Sequence, residues 1–282
     1  MLTVFTNSMR RYLWQILGWG LSLAVLGGYL IRFYDMMAAQ QAQLSQLIKN
    51  YPPELMAFFG DMNKIFTPSG YLNTEFFSYM TLIIGIYAVL SGSGLLAGDE
   101  ENGTLDLVMA HPISRTALFM GRLAAFVTAT LGILVITWLG FVISMPGTSL
   151  KISPGDMALP FLSLFSILIL FGALALVLSL LLPSRRLSAM VAGLVLVASF
   201  FISSLVRIDN RLEEIAKFSP LNYYQGGLAV DGMDWKWFGG LLAVSVVFIL
   251  LAWWRFESRD IRVSGEGSWR IPGLAFNRKD SG

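Results

Sequence analysis

Hydrophobic residues are gathered into six long runs that polar segments separate. Each run is about as long as the roughly 20 apolar residues that a helix needs to cross a hydrocarbon core of about 30 Å. The runs are too long and too continuous for the strands of a membrane barrel, in which polar and apolar residues alternate. The pattern predicts an all-α polytopic membrane protein with a single transmembrane domain over residues 1–282, and with spans at about 13–33, 76–97, 117–145, 157–182, 187–206 and 237–255.

The composition agrees with this prediction and argues against other classes of protein. Of the 282 residues, 55% are hydrophobic and 13% are charged, and the mean hydropathy is +0.65, which is too apolar for a soluble domain. The net charge is only +2 and the basic residues are scattered, so nothing indicates a nucleic-acid partner. The absence of cysteine and the presence of a single histidine, His111, argue against disulfides, thiolate metal sites and histidine-based catalysis.

The distribution of basic residues predicts the orientation in the membrane. Six spans place both termini on one side, and Lys and Arg are enriched in the pieces that this arrangement puts inside, among them Arg10, Arg11, Arg185 and Arg186. We therefore expect both termini, and the tail at 256–282, in the cytoplasm. The first run exceeds the usual length of the apolar region in a signal peptide, which favours a membrane span over a cleaved leader.

Two longer segments lie outside in this arrangement, at 34–75 and 207–236. In the first, apolar residues recur at helical spacing on both sides of Pro52-Pro53, which predicts a helix that lies on the outer membrane face or roofs the bundle. An amphipathic connector packed on neighbouring helices explains this spacing as well as a lid over a substrate does. The second segment carries several charged residues before Pro220, which we interpret as a solvated turn and helix.

The six runs lack ionisable residues near their centres, where a proton relay or an ion-coupling site would need one. Arg32 and Arg122 lie near the ends of runs, so we expect them to anchor the spans by reaching the interface. Small residues predict close helix packing, either within one subunit or against a second one. These residues are Ser91-Gly92-Ser93-Gly94 in the second run and Gly20, Ala24 and Gly28 in the first.

Catalytic motifs are missing from the chain. A P-loop needs a lysine after its last glycine, and no Gly-Lys pair occurs. There is no His-Glu-x-x-His motif, no acid pair within a run and no histidine in a run that could activate a serine. We therefore expect this chain to have no enzymatic activity, cofactor or metal of its own.

The densest charge near the membrane lies between the second and third runs, in a segment that we name the elbow (98–115). Asp99, Glu100 and Glu101 stand at the C-terminal end of a membrane helix, where the macrodipole disfavours negative charge. A local rule broken in this way suggests that a cation pairs with these acids.

Beyond the acids, the elbow has the signals of a turn and a short helix. Asn102-Gly103 favours a turn, and Thr104 is a good N-cap with Asp106 in the first turn. The predicted helix covers 105–110 and ends at His111-Pro112, because a residue before proline avoids the helical region. Ser114 is expected to cap the third span.

These residues resemble the elbow of type-2 ABC export permeases. That family typically has Glu-x-Gly-Thr-Leu-Glu and then Pro-Val-Ser-Arg, where this chain has Glu-Asn-Gly-Thr-Leu-Asp at 101–106 and Pro-Ile-Ser-Arg at 112–115. The resemblance extends to the six-span layout, to Ser-Gly-Tyr-Leu at 69–72 and to the ending at 256–260, although only the elbow motif is specific. Val-Met-Ala at 108–110 and a histidine before the proline depart from the family pattern.

The resemblance implies a permease subunit of an ABC exporter in a bacterial plasma membrane. Such a subunit pairs with a second copy or a paralogue, and it docks a separate ATP-binding subunit that holds ATP and Mg²⁺. Its elbow helix transmits nucleotide-driven motion to the spans. Carried over to this chain, the coupling residues are Asp99, Glu100, Glu101, Gly103, Thr104, Leu105, Asp106, His111, Pro112 and Arg115. Arg115 would be the partner of the acids at the base of the third span.

Two other functions stay open. An ATP-independent membrane anchor, or an assembly subunit of a larger complex, would have the same spans but would never turn over nucleotide. A secondary carrier would move its substrate along an ion gradient, but the spans lack the titratable groups that such coupling uses. The lack of charge in mid-membrane favours an apolar or amphipathic cargo taken up from the bilayer.

Overall fold

The computed structural model describes residues 1–40, 66–101, 114–206 and 210–258. Within these ranges the chain has no strand, and six helices are long and apolar enough to cross a membrane. They are, in order, Leu2–Ala39, Pro68–Gly94, Arg115–Ser144, Pro154–Leu181, Arg185–Leu205 and Trp235–Ser258. The prediction of an all-α, multi-pass membrane protein is confirmed. The helices extend beyond the apolar runs, most of all at the start of the first span, because polar residues continue a helix outside the hydrocarbon.

Four spans begin at a capping side chain. Thr67, Ser114, Ser153 and Ser184 each accept a hydrogen bond from the backbone N–H three residues later, at 3.0–3.2 Å. Such a bond satisfies one of the N–H groups that the first turn of a helix leaves without a partner. The cap predicted at Ser114 is confirmed.

The spans alternate in direction, so the bundle has two ends. The end that carries Met1, Glu101, Arg115 and Ser258 is named the basal end, and contacts join the first span to the third there, and the third to the sixth. The opposite end is named the distal end. There the Asp35 carboxylate accepts a hydrogen bond from the Ser149 N–H at 2.7 Å, which connects the end of the first span to the segment after the third.

Small residues bring the first and third spans together. Gly20 lies against Ile136, and Gly28 lies against Ser144. A Cβ added at Gly140 would lie 2.6 Å from the Cα of Ala24, so the two helix backbones are in direct contact there. The small residues predicted to permit close approach thus do so within one chain.

The fourth span is the centre of the bundle. In its apolar stretch of 18 residues, 78% of the residues are buried, whereas the matching stretches of the fifth and sixth spans are 22% and 17% buried. It meets the second span at Gly92, where an added Cβ would lie 2.1 Å from the carbonyl oxygen of Gly172. The packing role predicted for the small residues at 91–94 is confirmed at this crossing.

The distal end is closed by the second half of the segment at 207–236. Glu214 and Lys217 pair in solvent, as predicted for a solvated helix. The part that follows differs from that prediction, because Tyr224 donates a hydrogen bond to the Phe77 carbonyl at 3.1 Å and Gly227 donates to the side-chain oxygen of Asn73, also at 3.1 Å. Burial raises the pKa of Tyr224, so its hydroxyl stays a donor.

Asn73 and Phe77 belong to a π-helical turn, Asn73–Phe77, within the second span. This wider turn places two neighbouring phenylalanines in a cluster of aromatic rings with centroids 4.9–6.4 Å apart. The members are Phe76, Phe77, Phe141 and Phe161. The cluster joins the distal ends of the second, third and fourth spans.

Several predictions fall on residues that the structure does not describe. The surface helix expected within 34–75 lies mostly at 41–65, since the first span runs to Ala39 and the second begins at Pro68. The predicted elbow helix at 105–110 lies within 102–113. The tail beyond Ser258 also falls outside the described residues.

Candidate functional site

The second span ends at the basal end in a break followed by a short helix. The helix Ser78–Gly94 stops where the Leu95 N–H bonds to the Gly92 carbonyl, in a turn tighter than an α-helical one, and the helix Ala97–Glu101 follows. This short helix carries Asp99, Glu100 and Glu101, the acids expected to need a cation. Glu101 is the last described residue before the part of the elbow at 102–113.

Asp99 is 7% exposed and is bound by arginines from two other spans. Its Oδ2 accepts a hydrogen bond from Nη2 of Arg122 in the third span, and its Oδ1 lies 3.4 Å from Nη1 of Arg11 in the first. Nη1 of Arg122 also donates to the Leu95 carbonyl, at 2.8 Å, beside the break. Charge-assisted hydrogen bonds of this kind are about twice as strong as neutral ones, so Asp99 fixes the base of the second span against the third.

The cation expected beside the acids is therefore present. Two arginines pair with Asp99, and the buried one is Arg122. We expected Arg122 to anchor the third span by reaching the interface, and that prediction is wrong. Its side chain is buried in the bundle because the short helix after the second span brings a carboxylate to it. An arginine in an apolar run gives no sign of an acid on another helix.

Glu101 connects the short helix to the fifth span. Its Oε1 accepts a hydrogen bond from the backbone N–H of Arg185, the first residue of that span, at 2.8 Å. A carboxylate is unfavourable at the C-terminus of its own helix but favourable at the N-terminus of another. Sequence reasoning did not include Arg185 in the site, since only tertiary packing brings these two distant residues together.

Arg115 connects the third span to the sixth. Its Nη1 donates to the carbonyls of Phe256 and Glu257, at 3.4 and 3.3 Å, and the neighbouring Thr116 donates to the Glu257 carboxylate at 2.6 Å. A guanidinium is favourable there because it faces the negative end of the last helix. The predicted pairing of Arg115 with the elbow acids extends to residues outside the described ranges and stays a prediction.

The remaining predicted site residues are only partly placed. Glu100 is half-buried on the short helix. The others lie outside the described residues, together with the predicted coupling helix: Gly103, Thr104, Leu105, Asp106, His111 and Pro112. Sequence reasoning found the acidic side of the site and missed the arginines opposite, Arg11, Arg122 and Arg185.

A cavity of about 550 Å³ opens beside this cluster. Residues of the first span from Ser8 to Trp19 line one wall, and residues of the second span from Ile86 onward line the other. Within the described ranges, no group of three acids, histidines or cysteines is placed to hold a metal. The site thus combines a charged junction between helices with a space large enough for a small ligand.

Comparison with known proteins identifies the class of this molecule. The sequence profile of a family described as "ABC-2 family transporter protein" matches residues 2–261, which include all six spans and the elbow. A comparison with curated proteins gives no match. Because the profile covers nearly the whole six-span chain, the protein belongs to the ABC-2 family of transporter proteins.

Proposed function

We propose that the chain is the permease subunit of an ATP-driven exporter. Two copies, or this chain and a paralogue, form the path through the plasma membrane of a bacterium. Each permease binds a separate subunit that holds ATP and Mg²⁺ and performs the hydrolysis. Membership of the ABC-2 family supports this assignment, as does the match of the elbow to the family pattern.

One observation carries the coupling part of the proposal: the base of the second span is joined to three other spans by charged groups. Asp99 binds Arg11 of the first span and Arg122 of the third, and Glu101 binds the start of the fifth. The rest of the elbow continues directly from Glu101. A force applied to the elbow by an ATP-binding subunit would therefore move four spans together.

The other end of the elbow is also attached to the bundle. Arg115, where the third span begins, bonds to the carbonyls at the end of the sixth span. A displacement at 102–113 would thus reach the bundle from both sides. Rigid connections of this kind favour discrete, collective motion over local bending, because packed helices shift between alternative arrangements rather than deform.

The coupling proposal predicts that Glu101→Arg combined with Gly103→Pro abolishes the stimulation of ATP hydrolysis by the permease. Charge reversal removes the bond to the fifth span, and proline removes the conformational freedom expected at the turn. The measurement is the ATPase rate of a reconstituted complex of permease and ATP-binding subunit, compared with the ATP-binding subunit alone.

Glu214→Arg is the matched control, because it reverses an exposed acid at the distal end. It should leave the stimulated rate unchanged, and all variants should insert normally. Unchanged stimulation in the elbow variant would refute the coupling role. A native complex that contains no ATP-binding subunit would instead favour the anchor function.

The proposed orientation can be tested with single cysteines, because the chain contains none of its own. Asp231→Cys at the exposed distal end should react with a membrane-impermeant maleimide in intact cells. Thr3→Cys at the exposed basal end should react only after the membrane is opened. The reverse labelling pattern would place the elbow outside and exclude contact with a cytoplasmic ATP-binding subunit.

A further inference from the structure

The cavity beside the charged junction is an elongated groove between the first and second spans. On the first span its lining runs from Ser8 to Trp19, a rise of about 16 Å along a helix. Its basal end holds the charged side chains, and its other end holds Trp19 and Ile86. The groove is open towards the membrane, since the lining residues Ile86 and Leu90 are 55% and 49% exposed. It therefore has the polarity of an amphiphile, with charge at one end and apolar surface at the other.

The charged end of the groove has an excess of one positive charge. Three arginines, Arg11, Arg122 and Arg185, and one carboxylate, Asp99, line it, and the Glu101 carboxylate lies beside it on the Arg185 N–H. Asp99 is shared between Arg11 and Arg122. Over the residues that the structure describes, no carboxylate pairs with the Arg185 guanidinium, whose Nη2 donates only to the Leu90 carbonyl, at 3.5 Å. A net positive charge beside the low-dielectric membrane attracts an anion.

The backbone of the second span is adapted to hold Arg185 in this position. A Cβ added at Gly94 would lie 2.9 Å from Cζ of Arg185, so the guanidinium lies directly over the glycine. A larger residue at 94 would push it out of the groove. The planar donor group is thus held along the groove wall, with its remaining N–H groups available to a ligand.

A second, independent observation points to a ligand in the same place. The Tyr87 side chain lines the groove and is only 4% exposed, and its hydroxyl lies close to Ser91 and Thr130 without a well-formed hydrogen bond to either. A buried hydroxyl that is incompletely bonded is unfavourable, and native structures rarely contain one without a reason. An acceptor oxygen on a bound molecule would satisfy it.

We propose that the groove binds a phosphate-bearing amphiphile from the adjacent membrane leaflet. Guanidinium groups match phosphate oxygens in charge and bidentate geometry, so Arg185 and Arg11 bind the headgroup and the Tyr87 hydroxyl donates to it. The hydrocarbon chain lies along Trp19, Ile86 and Leu90. This proposal goes beyond the coupling function, because it concerns binding by the permease alone and needs no nucleotide.

The test uses the purified full-length chain in a neutral detergent, titrated with phosphatidylglycerol, with diacylglycerol, which has the same chains but no phosphate, and with inorganic phosphate. Binding is followed by tryptophan fluorescence. The contribution of Trp19 is the difference between the signal of the chain and that of its Trp19→Phe variant. We expect phosphatidylglycerol to bind, with an affinity about tenfold lower after Arg185→Gln and severalfold lower after Tyr87→Phe. Both variants keep the backbone bond between Arg185 and Glu101, so they should fold, as checked by size-exclusion chromatography.

Arg10→Gln is the matched control, because it removes the same charge from an exposed position next to Arg11 that does not line the groove. It should leave the affinity for phosphatidylglycerol unchanged. Equal weakening by Arg10→Gln, equal binding of diacylglycerol, or equal binding of inorganic phosphate alone would each overturn the proposal. The first would indicate a diffuse charge effect, the second a purely apolar site and the third a site for a free anion.

Discussion

Asp99→Ala is expected to destabilise the folded protein by about 3–5 kcal/mol. The substitution leaves the Arg122 guanidinium buried with the Leu95 carbonyl but without its carboxylate, and an uncompensated buried charge costs more than the ion pair contributed. Arg11 would also lose its partner at Asp99. The measurement is the fraction of folded protein in a titration with a denaturing detergent, followed by circular dichroism or by retention of the folded peak in chromatography.

Two further variants separate the buried pair from a general charge effect. Arg11→Gln removes the exposed partner, whose side chain is 66% exposed, and should cost less than about 1 kcal/mol. Asp99→Leu combined with Arg122→Met replaces both buried charges by apolar groups and should recover most of the lost stability. If Asp99→Ala proved no more harmful than Arg11→Gln, the buried pair would not be what holds the second span against the third.

Gly92→Ala is expected to destabilise the bundle by about 2–3 kcal/mol. The added Cβ would lie 2.1 Å from the Gly172 carbonyl oxygen, and also 2.8 Å from its Cα, so two helix backbones would have to separate. A side chain at this contact could relieve the clash by changing its rotamer, but the Gly172 backbone has no such freedom. Because this contact joins the second span to the central fourth span, the separation would also disturb the packing around it.

Gly193→Ala provides the comparison for this variant. Gly193 lies in the fifth span, and an added Cβ there would meet nothing within 4 Å. Replacing glycine by alanine at an open helical position reduces the freedom of the unfolded chain and favours the helix, so a small gain of stability is expected. Both variants can be measured in the same detergent titration. A loss of similar size in the two would mean that helix propensity, not the crossing at Gly92, decides the effect.

The sequence predicted the features of this molecule that depend on nearby residues. Apolar runs identified all six spans, and a serine at the right position identified the start of the third. The small residues around Gly92 identified a close helix crossing, since only a missing side chain permits one. These features follow from helix geometry and from the length of a membrane crossing, so the residues of one segment are enough to predict them.

Features that depend on residues from distant helices were not predictable in this way. Arg122 looked like an interfacial anchor because nothing in the third run indicates that Asp99 faces it. Arg185 joined the site through contacts with distant residues, its N–H bond to Glu101 and its guanidinium over Gly94. The segment at Gly226 and Gly227 was expected to be solvated because charged residues lie just before it in the chain. In the structure these two glycines pack against Asn73 with no room for a side chain.

This closed distal end has a consequence for how the second span can respond to force. A Cβ at Gly227 would lie 2.3 Å from the backbone nitrogen of Asn73, so the span is held tightly there, while its helix extends about 30 Å further, to the break after Gly94. The contact at Asn73 would act as a pivot. A tilt of about ten degrees around it would carry the base sideways by about 5 Å while the distal end stayed almost still. Motion begun at the elbow would then tilt the second span, together with the ends of the spans bonded to its base, rather than slide it along its axis.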